Sequence, residues 1–245
     1  MDRKFEIFKV QSAAGAEDGN SERKKNVLSI TNLTKRWSKD NVVFDGYCMD
    51  FEEGIYLIVG ESGCGKTTLI RCITGLDTQY EGEIRLNGVL RKGCDMDVHM
   101  VHQHYFSYPW LNELQNVLMV HKGHKKRITK ELTAEAAYML ERTQIDTQEH
   151  LTPQELSGGQ DQRLSICSAL VNHESKVFVY DEPTSALDIK NTNLVAQLIR
   201  EHQEKDNTIE IIITHDSELL KAFSITVNTA AEAEEEEKCL LPISS

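Results

Sequence analysis

A lysine and two threonines end a glycine-rich stretch, GESGCGKTT, at residues 60–68. The pattern G-x-x-x-x-G-K-[ST] indicates a phosphate-binding loop when a strand precedes it and a helix follows it. The preceding residues, GIYLIVG at 54–60, are typical of a short buried strand, and a helical pattern begins near Lys66. The stretch therefore predicts a nucleotide phosphate site. The alternative is a glycine-rich turn that happens to contain a lysine.

The residue types of this loop suit that chemistry. Glycines let the backbone bend until consecutive N–H groups converge on phosphate oxygens, and the helix that follows directs its positive end to the same point. Lys66 supplies a mobile cation for the β and γ phosphates, and Thr67 offers a hydroxyl to Mg²⁺, which prefers oxygen ligands. The predicted nucleotide-binding residues of the loop are Gly60, Ser62, Gly63, Cys64, Gly65, Lys66, Thr67 and Thr68.

Two carboxylates end a second apolar stretch, VFVYDE, at residues 177–182. The carboxyl end of a strand is where open α/β sheets bind their ligands. We expect Asp181 to help hold Mg²⁺ and Glu182 to orient and deprotonate an attacking water. An acidic pair alone would more often cap a helix. The functional interpretation depends on the lysine loop being present as well.

The turn LSGGQ at residues 156–160 is not explained by either signal. Ser157 has no neighbouring histidine that could activate it, and Gly158 and Gly159 would weaken a helix or strand around them. A helical pattern nevertheless follows directly. The role of this turn must therefore be inferred from the other motifs of the chain.

Strands alternate with helices along the chain, and this order predicts an α/β fold with a parallel sheet. Expected strands lie at 27–30, 42–51, 54–60, 81–88, 98–101, 177–180 and 209–213, and expected helices at 66–74, 129–144, 189–203 and 217–222.

Composition excludes several classes of protein. The formal net charge of −12 argues against binding a nucleic acid backbone, and six cysteines without a CxxC pair argue against a zinc ribbon or a disulfide framework. A metal site at His99, His102 and His104 is also not expected, because no carboxylate or cysteine is spaced with them. Apolar stretches are too short to span a bilayer. The first residues, MDRKFEIFKV, do not resemble a secretion signal, so a cytosolic protein is expected. Polar residues 1–26 and the acidic residues 229–245 are predicted to be flexible arms.

Taken together in their order, these motifs resemble the nucleotide-binding subunit of an ATP-binding cassette (ABC) transporter over residues 27 to about 228. Further matching segments are VHQHYF, whose Gln103 resembles the Q-loop glutamine, SALD at 185–188, which resembles the D-loop, and ITHD, whose His215 resembles the switch histidine. Trp37 stands where the family carries an aromatic residue that stacks on adenine. Several separated motifs in one order are more specific than any single motif.

The resemblance implies a RecA-like P-loop core with an antiparallel β-subdomain and a helical subdomain inserted at about residues 104–156. It implies the cofactors ATP and Mg²⁺, with metal ligands Thr67, Gln103 and Asp181. It also implies that two cassettes pair head to tail, as a homodimer or with another ABC ATPase subunit. The LSGGQ turn of one cassette, through Ser157, Gly158, Gly159 and Gln160, would then close over the ATP of the other, with Glu182, His215 and Lys66 as the catalytic residues.

Partners follow from the same resemblance. We expect separate membrane permease subunits, which would place the chain on the cytosolic face of the cell membrane, and the stretch YPWLNELQNV at 108–117 resembles the importer type. The alternative is a soluble ABC ATPase that regulates or remodels a non-membrane partner. A third interpretation, a cassette that binds ATP without hydrolysing it, is disfavoured by Glu182 and His215.

The chain departs from the family pattern after the LSGGQ turn. Asp161 stands where many members have a basic residue, and Cys167 and Ser168 replace an Ala-Arg pair. We expect these departures to affect the turnover rate and the subfamily to which the chain belongs. The expectation of an ATPase stays unchanged, because the expected catalytic residues are all present.

Overall fold

Two β-sheets and six helices make up the part of the chain that the structure describes. The computed structural model describes residues 5–11, 24–38, 41–103, 107–125, 127–145 and 155–225. The strands are β1 (Phe5–Lys9), β2 (Val27–Ser38), β3 (Asn41–Glu52), β4 (Gly54–Gly60), β5 (Glu81–Leu86), β6 (Val89–Leu90), β7 (Val98–Val101), β8 (Val177–Asp181) and β9 (Ile209–Ile213). The helices are α1 (Lys66–Thr74), α2 (Glu113–Gly123), α3 (Lys130–Arg142), α4 (Gly158–Leu170), α5 (Ile189–Asp206) and α6 (Ser217–Ala222).

The larger sheet has the strand order β1-β4-β9-β8-β7, in which the last four strands are parallel. The residues of β9, the first four of β8 and the middle of β4 are buried, as expected for parallel strands covered on both faces, whereas the edge strand β7 has only Val101 buried. Because the four strands are parallel, their carboxyl ends meet at one edge of the sheet. The segments that follow β4, β7, β8 and β9 carry the phosphate loop, Gln103, Glu182 and His215, so the topology gathers these residues there.

Side chains that alternate along the strands pack on both faces of this sheet. Val177 and Val179 of β8 face α1 and the second sheet, whereas Phe178 and Tyr180 face the helices α4, α5 and α6. The second sheet, β3-β2-β5-β6, is antiparallel. A third cluster of buried residues joins α2, α3 and α4, including Val117, Leu140 and Leu164. The predicted fold, an α/β P-loop core with an antiparallel β-subdomain and a helical subdomain, is confirmed.

The prediction of a flexible arm is wrong for residues 5–9, which form an edge strand. β1 pairs antiparallel with β4 in the register Phe5 to Gly60 through Lys9 to Tyr56. The centre of the Phe5 ring lies 6.3 Å from that of the Phe44 ring and 6.2 Å from that of the Tyr47 ring. Such a short strand gains its stability from pairing and packing with residues distant in sequence, so its local pattern is weak. Of the predicted arm residues, 1–4, 12–23 and 229–245 lie outside the described residues.

No helix in the described part of the chain is long and apolar enough to cross a membrane.

Candidate functional site

The phosphate loop joins the end of β4 to the start of α1 and depends on glycine at three positions. Gly63 and Gly65 have φ angles of 78° and 110°, which residues with a side chain rarely adopt. A Cβ on Gly65 would lie 2.9 Å from Val43 of the second sheet, and a Cβ on Gly60 would lie 2.8 Å from that of Phe5. The loop therefore has its shape because strands from both sheets pack closely against it.

The N-terminus of α1 is open to a ligand. Among the helices that the structure describes, α1 alone has no side chain capping its N-terminal N–H groups, whereas α2 to α6 each have one. Ser62, Gly63 and Thr67 are exposed on this side, and no acidic residue lies in the first turn of α1. Free N–H groups at a helix start form a site for anions. The loop thus fits a nucleotide phosphate.

The ammonium group of Lys66 crosses the loop and donates to two of its carbonyl groups. Its Nζ lies 2.6 Å from the carbonyl oxygen of Gly60 and 2.9 Å from that of Glu61. The same nitrogen is 3.7 Å from Sγ of Cys64, which is buried below the loop. These contacts hold the only cation of the loop beside its open N–H groups, where it can meet a phosphate.

Glu182 and His215 form a hydrogen-bonded pair at the carboxyl ends of β8 and β9. Nδ1 of His215 lies 2.6 Å from Oε1 of Glu182, and the backbone N–H of His215 donates to Oε2 at 3.3 Å. The Glu182 side chain is 11% exposed, whereas that of His215 is 75% exposed. Glu182 also has a left-handed backbone with φ of 51°, which is uncommon for a residue with a side chain and recurs at functional sites. The pair presents a carboxylate at the site with an accessible imidazole beside it.

Asp181 lies one residue before Glu182, at the last position of β8. Burial and the neighbouring Glu182 carboxylate raise the pKa of Asp181, and the positive charges of Lys66 and Arg71 partly offset this effect. A divalent cation at this point would stabilise the ionised carboxylate. Gln103, two residues beyond β7, is exposed. Together with the Thr67 hydroxyl these groups offer only oxygen ligands, the donor set that Mg²⁺ prefers.

Trp37 lies on β2 of the second sheet and is 54% exposed. One contact of its ring is with Lys35, whose Nζ lies 4.5 Å from the ring centre. Lys35 itself is buried and fixed by Asp77 at 2.7 Å and by the carbonyl oxygen of Gln79 at 2.7 Å. The indole is therefore positioned from one side and accessible on its outer surface, which suits a stacking partner.

A buried glutamine that the sequence analysis did not single out connects these parts. Nε2 of Gln162, on α4, donates to the carbonyl oxygen of Glu182 at 3.1 Å, and its Oε1 accepts from the N–H of Ala186 at 3.1 Å. Gln162 is fully buried. It ties the helix after the LSGGQ turn to Glu182, just after the end of β8, and to the SALD segment. Only its place two residues after that turn could have indicated this role.

The LSGGQ turn, residues 156–160, begins α4 with a reciprocal cap. The N–H of Gln160 donates to Oγ of Ser157 at 3.3 Å, and the N–H of Ser157 donates to Oε1 of Gln160 at 2.8 Å. A Cβ on Gly159 would lie 3.2 Å from the carbonyl oxygen of Ala186, so close packing on the SALD segment explains this glycine. A Cβ on Gly158 would have no atom of the described residues within 4 Å. Packing against the described part of the chain does not explain Gly158.

Two of the three departures from the family pattern, Cys167 and Ser168, lie near the end of α4. Sγ of Cys167 lies 3.0 Å from Oγ1 of Thr143, and burial raises the pKa of Cys167 to about 12. Ser168 bonds to the carbonyl oxygen of Leu164 within the same helix, at 3.2 Å. Cys167 therefore acts as a small buried residue in the packing of α3 against α4, and its thiol is not activated.

A parallel sheet with a phosphate loop after one strand and carboxylates at the end of another defines a P-loop nucleotide-binding protein. The profile of the ABC transporter family matches residues 46–185. The chain belongs to the ABC transporter family.

Relatives and solved structures share this architecture. The chain is 33% identical to the phosphonates import ATP-binding protein PhnC of Wolinella succinogenes, over 80% of this chain and 77% of that protein. It is 36% identical to the sn-glycerol-3-phosphate import ATP-binding protein UgpC of Bordetella pertussis, over 77% of this chain but only 53% of that protein. The dimeric bacterial ABC transporter cassette MJ0796 superposes with a TM-score of 0.68 at 27% identity, covering 80% of this chain and 90% of that one. A second structure of that cassette dimer is a post-hydrolysis state with ADP and Pi.

Proposed function

We propose that this chain is the ATP-hydrolysing subunit of an ABC importer, in which two cassettes close over two ATP molecules and drive a separate membrane permease. The observation that carries the proposal is the Glu182–His215 pair at the sheet edge where the phosphate loop also lies. The relatives named as import ATP-binding proteins support it. Because those relatives differ in the solute they import, the proposal extends to import and not to a particular cargo.

The nucleotide would be held by the phosphate loop and by Trp37. Backbone N–H groups at the uncapped start of α1 and the Lys66 ammonium would bind the phosphates, while the exposed indole of Trp37 would stack on the adenine. Thr67, Asp181 and Gln103 would hold Mg²⁺, which when bound supplies positive charge to the β and γ phosphates.

Hydrolysis would use Glu182 as the general base. Its carboxylate is nearly enclosed yet lies at the edge of the site, where it can accept a proton from the water that attacks the γ-phosphate in line. His215, hydrogen-bonded to that carboxylate, would orient it and contact the γ-phosphate with its exposed ring. Lys66 and the N–H groups of the loop would stabilise the charge that develops in the transition state.

The LSGGQ turn would complete the site of the partner cassette. Capping uses an oxygen lone pair of Ser157, so the hydroxyl proton remains available to donate to a phosphate oxygen. The empty space above Gly158 and the positive end of α4 would allow the partner's γ-phosphate to approach closely. Each site would therefore need two chains.

Hydrolysis per chain is expected to rise with protein concentration, because only paired chains hold complete sites. The measurement is phosphate release at saturating ATP and Mg²⁺ over a dilution series that spans the monomer–dimer transition, followed in parallel by light scattering. ATP binding to the monomer should be detectable at the lowest concentration. A per-chain rate that stays constant while the protein remains monomeric would contradict shared sites.

The permease would dock beside α2, at a surface formed by Tyr108 and Trp110. Trp110 is 73% exposed and its ring lies 5.6 Å from that of Tyr108. Asn116 holds the backbone of this segment, accepting from the N–H of Tyr108 at 2.7 Å and donating to the carbonyl oxygen of Leu111 at 3.0 Å. Two aromatic rings held exposed on a fixed backbone are typical of a binding hot spot. Docking here would place the chain on the cytosolic face of the membrane.

Trp110→Asp is expected to weaken binding to the permease by about 30-fold or more, which corresponds to the roughly 2 kcal/mol of a hot-spot residue. The measurement is co-fractionation of the chain with membranes prepared from the cells that produce it. Val89→Asp, an equally exposed apolar residue on β6, is the control and should bind normally. Failure of the unaltered chain to bind such membranes would favour a soluble partner instead. That outcome would leave the proposal of ATP hydrolysis standing.

A further inference from the structure

A group of histidine and carboxylate side chains lies at the opposite edge of the large sheet from the phosphate loop. His173 precedes β8, and His202 and Asp206 lie one turn apart near the end of α5. This histidine cluster, defined by these three residues, has one nitrogen or oxygen atom from each member within 4.8 Å of the others. The expected ATPase chemistry uses none of them.

Two ring nitrogens of the cluster point at the same carboxylate. Nδ1 of His173 lies 2.5 Å from Oδ2 of Asp206, and Nε2 of His202 lies 3.5 Å from the same oxygen. Tetrahedral coordination with metal bonds of 2.0–2.1 Å separates neighbouring ligand atoms by about 3.3 Å. The His202–Asp206 separation already matches this value, and His173 would move outward by about 1 Å to reach it.

The other nitrogen of each imidazole is held by a further carboxylate. Nε2 of His173 lies 3.0 Å from Oε1 of Glu135 on α3, and Nδ1 of His202 lies 2.9 Å from Oε1 of Glu210 on β9. Metal-ligating histidines commonly have their second nitrogen fixed in this way, which sets the tautomer and the ring orientation. Both histidines of the cluster therefore have the supporting shell of a metal ligand.

One buried atom of the cluster has no hydrogen-bond partner. Among the described residues, Nε2 of His202 makes no hydrogen bond, and its ion-pair contact with Oδ2 of Asp206 is long, at 3.5 Å. The His202 side chain is only 1% exposed, and its ring packs edge to face on that of Phe178, with 4.7 Å between the ring centres. An unsatisfied buried polar atom is costly and needs a reason. The ion pairs of the cluster leave this atom without a hydrogen bond, whereas a metal ion between the three residues would bind it directly.

The charge of the surroundings favours a cation. Asp206, Glu135 and Glu210 contribute three carboxylates. Among the described residues, one ammonium group contacts them, that of Lys205, whose Nζ lies 2.8 Å from Oε1 of Glu135. We propose that His173, His202 and Asp206 bind a divalent transition-metal ion of the zinc class, with a fourth position open to water. Two imidazoles and one carboxylate are a donor set that Zn²⁺ accepts and Mg²⁺ disfavours.

The test is a titration of the full chain, stripped of metal and free of nucleotide, with Co²⁺ as a spectroscopic probe for zinc. One Co²⁺ per chain is expected to give the visible absorption of a tetrahedral site, and Zn²⁺ should displace it and raise the melting temperature. His173→Gln and Asp206→Asn, in partly exposed side chains, should weaken binding by more than about 100-fold, and Glu135→Gln by about 10–100-fold. Glu204→Gln, an exposed carboxylate on the same helix, is the control and should bind normally.

Absence of binding, unchanged affinity in the two ligand variants, or a thiolate-to-cobalt band would overturn the proposal. Should both variants fail to fold, crystals of the unaltered chain grown with Zn²⁺ still decide it. An anomalous peak between the three side chains is expected, and a zinc-bound crystal without that peak would refute the site.

Discussion

Replacing Glu182 by glutamine is expected to lower ATP hydrolysis by about 10²–10⁴-fold while ATP binding stays within a few-fold of the unaltered chain. The physical reason is that the amide cannot accept the proton of the attacking water. Its size is similar, and the amide oxygen of the glutamine can still accept from the backbone N–H of His215, which donates to Oε2 of Glu182 in the unaltered chain. Binding should survive because the residues that hold the phosphates lie in a different segment, 60–68.

The measurement is phosphate release at saturating ATP and Mg²⁺, beside equilibrium binding of a fluorescent ATP analogue. We also expect the ATP-bound dimer to accumulate in gel filtration, because the proposed reopening of the dimer depends on hydrolysis. Glu218→Gln is the matched control, since its carboxylate pairs with Lys221 at 2.7 Å on α6, and it should retain full activity. Turnover of the Glu182→Gln chain within a few-fold of normal would exclude Glu182 as the base.

The sequence could predict the fold because its strongest patterns are local. The strand ending at Gly60, the helix from Lys66 to Thr74 and the strand from Val98 to Val101 all have the predicted bounds, since short apolar runs and glycine turns mark their ends. β1 was missed for the opposite reason. Its residues alternate only weakly in polarity, and its pairing partner lies about 50 residues away along the chain.

The candidate site was predictable where residue type and spacing act together, as in the phosphate loop and the carboxylate pair. The structure places Asp181, Glu182 and His215 at one sheet edge, and their catalytic roles stay predictions. Gln162 was not singled out, because a glutamine on a helix gives no local sign that it will bond to Glu182 and Ala186. Contacts made by the tertiary fold are invisible to a spacing argument.

The histidine cluster illustrates the same limit. His99, His102 and His104 are the histidines that lie close together in the sequence, and their spacing predicts no metal site. His173 and His202 are 29 positions apart and meet only because the end of α5 packs beside the turn before β8. The supporting carboxylates Glu135 and Glu210 come from two further elements.

Replacing Gly158 by aspartate is expected to lower the rate of hydrolysis by about 10²–10³-fold without lowering the stability of the isolated chain. A Cβ at this position meets no atom of the described residues within 4 Å, and an acidic residue at the first position of α4 interacts favourably with the helix dipole. The free energy of unfolding should therefore stay equal or rise by up to about 1 kcal/mol. In the closed dimer the same carboxylate would face the partner's γ-phosphate, repel it and displace the N–H groups that stabilise the transition state.

Thermal melting of the nucleotide-free chain and phosphate release measure these two effects separately. Lys130→Asp is the matched control, because it places an aspartate at the first position of α3, where it is exposed and outside the proposed dimer contact. Its hydrolysis should stay near normal despite the larger change in charge. Normal hydrolysis by Gly158→Asp would contradict any contact between the LSGGQ turn and a nucleotide.

Mixing two inactive chains distinguishes a shared site from a site within one chain. Lys66→Ala destroys the phosphate loop of its own chain, and Gly158→Asp destroys the turn that serves the partner. If this chain pairs with itself, an equal mixture should recover about a quarter of normal hydrolysis, because half of the dimers are mixed and each mixed dimer holds one intact site. Sites complete within single chains would give no recovery, since every such site would carry one of the two defects. Recovery would therefore establish that a turn capped by Ser157 acts on a nucleotide that another copy of the chain binds.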